Sequence, residues 1–383
     1  MPGFLFNHEG TMRIGVIKEI KDNENRVGLS PEGAARLVAE NHEVLVQGSA
    51  GEGSGFSDED YEKAGARIAT ADEAWSSDII VKVKEPMNSE YKFFRDGLVI
   101  YTYFHLAGVD HGLSNHLLEK KVTAVAYETV EDHNGKLPLL APMSSVAGRV
   151  AVQTAAYYLA KFNNGSGKLI GGVPGVDPAT VVIIGGGVVG YNAAQIAIGM
   201  GAETILLDVS DEKLYHLKHS LQGKPHILIS NRHNISEAVK KADILVGAVL
   251  LAGAKAPFLV TEEMVKSMRP GSVIVDVAID QGGCIETMKP TSHSHPVFMK
   301  HGVIHYGVTN MPGAFPRTAT QALTHATLPY LLKIAKHGLA ETARHDPGFA
   351  KGINTYRGYF TCKPVAESLG QMDKFMELKD LLE

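Results

Sequence analysis

Residues 180–202 read TVVIIGGGVVGYNAAQIAIGMGA. Four β-branched apolar residues run into three glycines, and small and apolar residues then recur at helical spacing. This is a strand, a tight turn and a helix, the opening of a parallel βαβ unit. Gly185-x-Gly187-x-x-Gly190 occupies the turn. Gly185 permits the tight turn, Gly187 lets a pyrophosphate approach the backbone, and Gly190 lets helix and strand pack closely. The first N–H groups of the helix suit a phosphate. A glycine-rich turn alone is a weak signal, and its competing reading is a Rossmann-like turn without a ligand. The strand before it and the helix after it give it weight. ETILLD follows and ends on Asp208, about 20 residues on, where an acid bonds the ribose hydroxyls. An acid there repels a 2′-phosphate, which favours NAD over NADP. The bland alternative for Asp208 is a solvated strand end.

The alternation continues outward in both directions. DILVGAV and SVIVDVAID extend the series downstream. Upstream, RIGVI (13–17), EVLVQ (43–47), DIIVKVKEP (78–86), LVIYTYFHLAG (98–108) and VTAVAYETV (122–130) read as strands with helical stretches between them. Ser30-Pro31-Glu32 opens one such helix, with Ser30 as cap and Pro31 as first helical residue. SSVAGRVAVQTAAYYLAKF (144–162) is a helix long enough to bridge two domains, and ALTHATLPYLLKIAKHGL returns to helix near the end. The expected architecture is α/β, two Rossmann-like domains with parallel sheets, the nucleotide domain (139–316) inserted into a discontinuous substrate domain (1–138 and 317–383).

A chain of 383 residues exceeds one typical core, in keeping with two domains. A hydrophobic content of 44%, a charged content of 21% and a net charge of −5 fit a globular enzyme and argue against a nucleic-acid partner or a basic membrane-binding face. No apolar run is long enough for a membrane span. Cys284 and Cys362 form no framework, which points to a reducing, cytoplasmic setting. The start, MPGFLFNHEGT, lacks a long apolar core and does not read as a secretory signal; residues 1–11 read as an extension of little structural weight. There are 17 histidines, but no HExxH or Cys/His zinc spacing, so no metal is expected. His293 and His295 alternate in a Pro-flanked loop and read as solvated. Cys284 reads as a structural thiol.

Four residues are candidates for chemistry. Arg26, in KDNENRVGLSP, has a guanidinium able to grip a carboxylate with two parallel bonds; on this stretch alone a surface arginine is the better reading. Lys84 shares a strand face with Lys82 and Pro86 by period two; in isolation a solvated lysine is the better reading. His105 shares a face with Tyr101 and Tyr103 at the end of its strand; a lone histidine there is usually a satisfied core group. In SVIVDVAIDQGG (272–283), the strand carries Asp276 and Asp280 into Gly282-Gly283; either this is an ordinary satisfied polar group, or the strand delivers Asp280 to a site. Ligands of parallel sheets gather outside the carboxyl ends of the strands, where Lys84, His105 and Asp280 all fall.

From Arg13 to about Gly370 the chain resembles the alanine dehydrogenase family. The motifs are MRIGVIKEIKDNENRVGLSP, KVKEP, FHLAG, AYETV, LPLLAPMSSVAGR, GGVPGV, GGGVVGYNAA, GAKAP, VDVAIDQGGC and NMPGAFPRTAT. The resemblance implies substrate binding by Arg26 and Lys84 and acid/base roles for His105 and Asp280. It implies nucleotide contacts at Ser144, Asp208, Lys213, Ser230, Val249, Leu250, Val277, Ala278, Ile279, Asp280, Asn310 and Met311. It also implies a homo-hexamer. The expected reaction is L-alanine, NAD and water to pyruvate, ammonium and NADH, and its reverse, with deamination faster at alkaline pH because hydride loss needs a neutral amine. The SHSHP stretch (292–296) and the N-terminal extension carry nothing over. The nearest alternative is the soluble nucleotide-binding subunit of a proton-pumping transhydrogenase, which shares the fold but typically lacks the FHLAG histidine. A lysine- or saccharopine-type dehydrogenase and a non-catalytic NAD(H)-binding protein are weaker readings.

Overall fold

The structure is a computed structural model that describes residues 10–108, 111–249 and 258–383. Leu250, the GAKAP motif and the first nine residues of the N-terminal extension lie outside the described residues. The chain divides into two compact units, Met1–Met143 with Phe315–Glu383, and Ser144–Ala314. The division falls inside one helix, Ala141–Tyr158.

In chain order the first unit begins with β1 (Arg13–Val16), β2 (Glu43–Gln47), β3 (Arg67–Ala69), β4 (Ile79–Val81), β5 (Val99–Thr102) and β6 (Thr123–Ala126). The second unit contains β7 (Thr180–Ile184), β8 (Glu203–Asp208), β9 (His226–Ile229), β10 (Ile244–Gly247), β11 (Val273–Asp276), β12 (Val297–Lys300) and β13 (Val303–Tyr306). The chain then returns to the first unit with β14 (Ile353–Tyr356) and β15 (Tyr359–Phe360). The first sheet has the order β15-β14-β6-β5-β4-β1-β2-β3, the second β12-β13-β11-β10-β7-β8-β9.

Most pairings are parallel, but β12 pairs antiparallel with β13, β14 with β6, and β15 with β14. These edges depart from the all-parallel expectation. The β14–β15 hairpin turns on Arg357 and Gly358, both in the left-handed region at φ 49° and 88°.

Both sheets bury both faces, which explains their nearly continuous apolar strands. In the first sheet Val99 and Tyr101 join one core and Leu98 and Ile100 the other. In the second, Val181 and Ile183 point one way and Val182 and Ile184 the other. Each sheet reverses its strand order at its first strand. β1 lies between β2 and β4, and β7 between β8 and β10. Crevices at such reversals, beyond the carboxyl ends of the strands, are where open α/β sheets hold ligands.

Three strands are shorter than the sequence pattern predicts. β4 stops at Val81, β5 at Thr102 and β11 at Asp276. Beyond each end the apolar pattern continues, and Lys82 N and Tyr103 N still pair across to Tyr101 O and Val83 O, but within two residues of each end the backbone N–H groups turn to a carboxylate: Val83 and Lys84 to Glu19, Phe104 and His105 to Glu128, and Ala278 to Asp276. The site residues therefore stand on turns after the strands.

Candidate active site

In the first unit Arg26 is 2% exposed, so it is no surface arginine. Its Nε donates to Glu24 Oε1 at 2.7 Å and its Nη2 to Glu24 Oε2 at 2.5 Å, while Nη1 lies 3.1 Å from Met143 Sδ. Burial works against the guanidinium charge, but the Glu24 carboxylate holds its pKa above the ordinary value. The loop carrying Arg26 is tied down from far along the chain. Val27 N donates to Thr320 Oγ1 at 3.1 Å and Ser30 N to Thr324 Oγ1 at 2.9 Å, both acceptors lying on the helix Pro316–His337. Ser30 then caps the helix Pro31–Ala39 by accepting from Gly33 N.

The expected face shared by Lys82, Lys84 and Pro86 does not form, because β4 has already ended. Lys82 is wholly buried and donates to Glu19 Oε2 at 3.2 Å and Glu90 Oε1 at 2.9 Å. Burial opposes its charge, and the two carboxylates more than offset that. Glu19 Oε1 accepts from Val83 N at 2.6 Å and Lys84 N at 3.2 Å. The turn that presents the half-buried Lys84 is thus hung on Glu19.

His105 likewise does not continue the face of Tyr101 and Tyr103. It lies three residues past β5 with φ 48°, a conformation that non-glycine residues seldom adopt. Glu128 holds it there: Oε1 accepts from His105 N at 2.5 Å and Oε2 from Phe104 N at 3.3 Å. The imidazole stacks on Tyr103 with centroids 5.9 Å apart, and its Nδ1 lies 3.9 Å from Glu128 Oε1. The side chain is 46% exposed, so it is not a satisfied core histidine.

In the second unit Gly185 follows β7 at φ 104°, where a Cβ would stand 2.4 Å from Ala248 O. Gly190 packs so closely that a Cβ would lie 1.8 Å from Gly185 O. A Cβ at Gly187, by contrast, would meet nothing within 4 Å. Gly187 begins the helix Val188–Gly199 without a side-chain cap, so the first helical N–H groups face an open approach. Asp208 Oδ2 accepts from Gly186 N at 2.6 Å and Oδ1 from Ser210 N at 2.9 Å. Lys213 Nζ lies 3.9 Å from Asp208, and Ser230 N donates to Asp208 O. The structure thus brings Gly185, Gly187, Gly190, Asp208, Lys213 and Ser230 to the ends of β7, β8 and β9.

Val249 follows β10, and the stretch from Val277 to Asp280 forms a 3-10 turn directly after β11. Asp280 is exposed on that turn and does not end the strand. The strand ends on Asp276, which is wholly buried. Asn310 adopts φ 66°, followed by the buried Met311, and Asn310 O lies 3.1 Å from His293 Nε2. His293 is therefore bonded, where the sequence reading had it solvated. Ser144 is half-buried within the helix Ala141–Tyr158. Cys284 is buried, with burial first and Asp276 second pushing its thiol pKa well up.

Sequence reasoning missed Glu19, Glu24, Glu90 and Glu128, and gave Asp276 no role, although these acids set the turns. Their only sequence signal is position, since each lies in or beside a segment that already carries a candidate residue.

Comparison with known proteins adds to this geometry. Residues 15–147 match the family described as "Alanine dehydrogenase/PNT, N-terminal domain" and residues 151–363 match "Alanine dehydrogenase/PNT, C-terminal domain". The chain is 51% identical over 368 residues to "Alanine dehydrogenase 2" of Staphylococcus aureus (strain USA300), covering 96% of this chain and 99% of that protein. A solved L-alanine dehydrogenase superposes with a TM-score of 0.91 at 48% identity, covering 94% of this chain and all of that one (100%). A transhydrogenase from Sinorhizobium meliloti superposes with a TM-score of 0.77 at 27% identity, covering 92% and 99% of the two chains. With both halves matched and half of its residues identical to a full-length relative, the chain belongs to the alanine dehydrogenase/PNT family.

Proposed function

We propose that this chain is an NAD-dependent L-alanine dehydrogenase, converting L-alanine, NAD and water to pyruvate, ammonium and NADH, and running the reverse reductive amination. The observation that carries this reading is the 51% identity to an alanine dehydrogenase over 96% of the chain. The glycine loop, the uncapped helix start at Gly187 and the Asp208 carboxylate suit a dinucleotide. Ser144, Lys213, Ser230, Val249, Leu250, Val277, Ala278, Ile279, Asn310 and Met311 complete the proposed nucleotide contacts.

NAD supplies the hydride acceptor. Arg26 binds the substrate carboxylate, its plane already fixed by Glu24, so little ordering is left for the moment of binding. Lys84 stabilises negative charge on the carboxylate or carbonyl oxygen. His105 and Asp280 move the protons as water adds to the iminium carbon and ammonia departs.

The reading extends to a cytoplasmic homo-hexamer, with both cysteines as free thiols. Among the described residues no helix is long and apolar enough to cross a membrane. The test follows NADH absorbance with L-alanine plus NAD, then with pyruvate, ammonium and NADH. Turnover in both directions is expected. Hydride exchange between nucleotides without any amino acid would favour the transhydrogenase reading, and NADH binding without turnover a sensing role.

A further inference from the structure

Asp276 is among the most enclosed ionisable groups in the second unit, and the reaction outlined above gives it no role. It ends β11 in register with Gly247 at the end of β10. Its Oδ1 accepts from Ala278 N at 3.0 Å and faces Cys284 Sγ at 3.6 Å. Its Oδ2 accepts from Cys284 N at 2.9 Å and Ile285 N at 3.2 Å. One carboxylate thus grips the 3-10 turn Val277–Gln281 at its start and again just past Gly282 and Gly283.

Two glycines let the backbone approach this carboxylate and the Cys284 thiol beside it. A Cβ on Gly247 would lie 2.8 Å from Oδ1 and one on Gly283 2.7 Å from Oδ2. A buried acid with three backbone donors and a thiol around it is costly to assemble unless the geometry it enforces matters. The residues enclosed by its grip are among the proposed nucleotide contacts, and Asp280, the proposed proton carrier, has to stand beside the nicotinamide, because that ring takes the hydride from the carbon whose protons it serves.

We propose that Asp276 is a positioning residue of the reaction: its carboxylate clamps the Val277–Gly283 turn so that Asp280 and the adjoining backbone are held ready for the nicotinamide half of NAD. This rests on the NAD reading given above. Asp276 touches neither substrate nor cofactor and acts only through the turn. The adenosine and pyrophosphate contacts at Gly185 to Gly190 and Asp208 are held by separate bonds and do not depend on it.

The experiment compares NADH with ADP-ribose, which lacks the nicotinamide, on the full-length protein. In Asp276→Asn the amide turns a donor towards N–H groups that need an acceptor. That variant is expected to lose about 100-fold in kcat. It should bind NADH about tenfold or more weakly while holding ADP-ribose within about twofold of wild type. Gly247→Ala, whose new methyl presses on the same carboxylate and on the Cys284 thiol that faces it, without changing the turn sequence, is expected to show the same split and decides the matter if Asp276→Asn does not fold. Ile274→Val, a buried change on the same strand, lowers stability modestly and is expected to leave both affinities unchanged. If Asp276→Asn or Gly247→Ala folds and weakens NADH and ADP-ribose alike, or neither, the positioning role is overturned while the NAD reading stands. Wild-type protein that binds neither nucleotide would overturn both.

Discussion

At the scale of single residues, the chemistry proposed for His105 and Asp280 makes a direct expectation. His105→Ala and Asp280→Asn should each lower kcat by about 100-fold or more and leave the dissociation constant of ADP-ribose unchanged. Steady-state kinetics with titration calorimetry would show it, and near-normal turnover in both variants would remove them from the mechanism. Asp276 makes a different kind of expectation. Burial pushes its carboxyl up to about 6 from an ordinary 3.8, against the pull of the Cys284, Ala278 and Ile285 amides. Between those values the folded chain keeps a proton that the unfolded chain has lost. Its contribution to stability therefore falls as pH rises through that window, by roughly 1 kcal/mol per unit, and is level above it. Thermal melts at pH 5, 6 and 7 should show wild type gaining on Asp276→Asn as pH falls; a constant gap would contradict the raised carboxyl. Arg26, Lys84, His105 and Asp280 could be nominated from the sequence because long motifs surround them. The bonding roles of Glu24, Glu19, Glu128 and Asp276 could not be read there, because a carboxylate that accepts backbone N–H groups leaves no periodic trace.

At the scale of elements, one device recurs. Where β4, β5 and β11 stop, Glu19, Glu128 and Asp276 take over the N–H groups that the ladder releases. The strands themselves were readable from β-branched runs between turn residues, but their ends were not. Pattern continues through KVKEP, YFHLAG and VAID while the hydrogen bonds change partners within a residue or two. The same device sets a stability cost around Lys82, enclosed by Glu19 and Glu90. Lys82→Met leaves two buried carboxylates without their cation and should destabilise the fold by about 3–5 kcal/mol. Urea unfolding would measure it, and adding Glu19→Gln and Glu90→Gln should restore much of the loss. A single substitution costing under about 1 kcal/mol would mean that the triad is not load-sharing in this way. The β14–β15 hairpin was missed although INTY-RG-YF alternates around a turn pair, because its strands are only four and two residues long.

At the scale of the whole molecule, the parallel order of both sheets followed from the alternation of strand and helix patterns and needed no tertiary information. The antiparallel edges did not follow from it, since edge strands are short and β12 is half-exposed. Assembly is a further expectation at this scale. Tyr157, Phe162, Leu169, Val173 and Val176 are all more than half exposed within twenty residues of one another in sequence, at 57%, 78%, 63%, 54% and 62%. Surface of that kind supports the proposed hexamer. Light scattering after gel filtration should give six times the chain mass of 41.2 kDa, and a monomer at micromolar concentration would exclude it. The route of the chain has one more consequence. Val27 and Ser30 wait for hydroxyls 293 and 294 positions further on. During synthesis the arginine loop leaves the ribosome long before Thr320 and Thr324 exist to hold it. A polypeptide cut short anywhere upstream of them carries the guanidinium but not its moorings, so the grip on an amino acid proposed for Arg26 becomes available only with the closing stretch of translation.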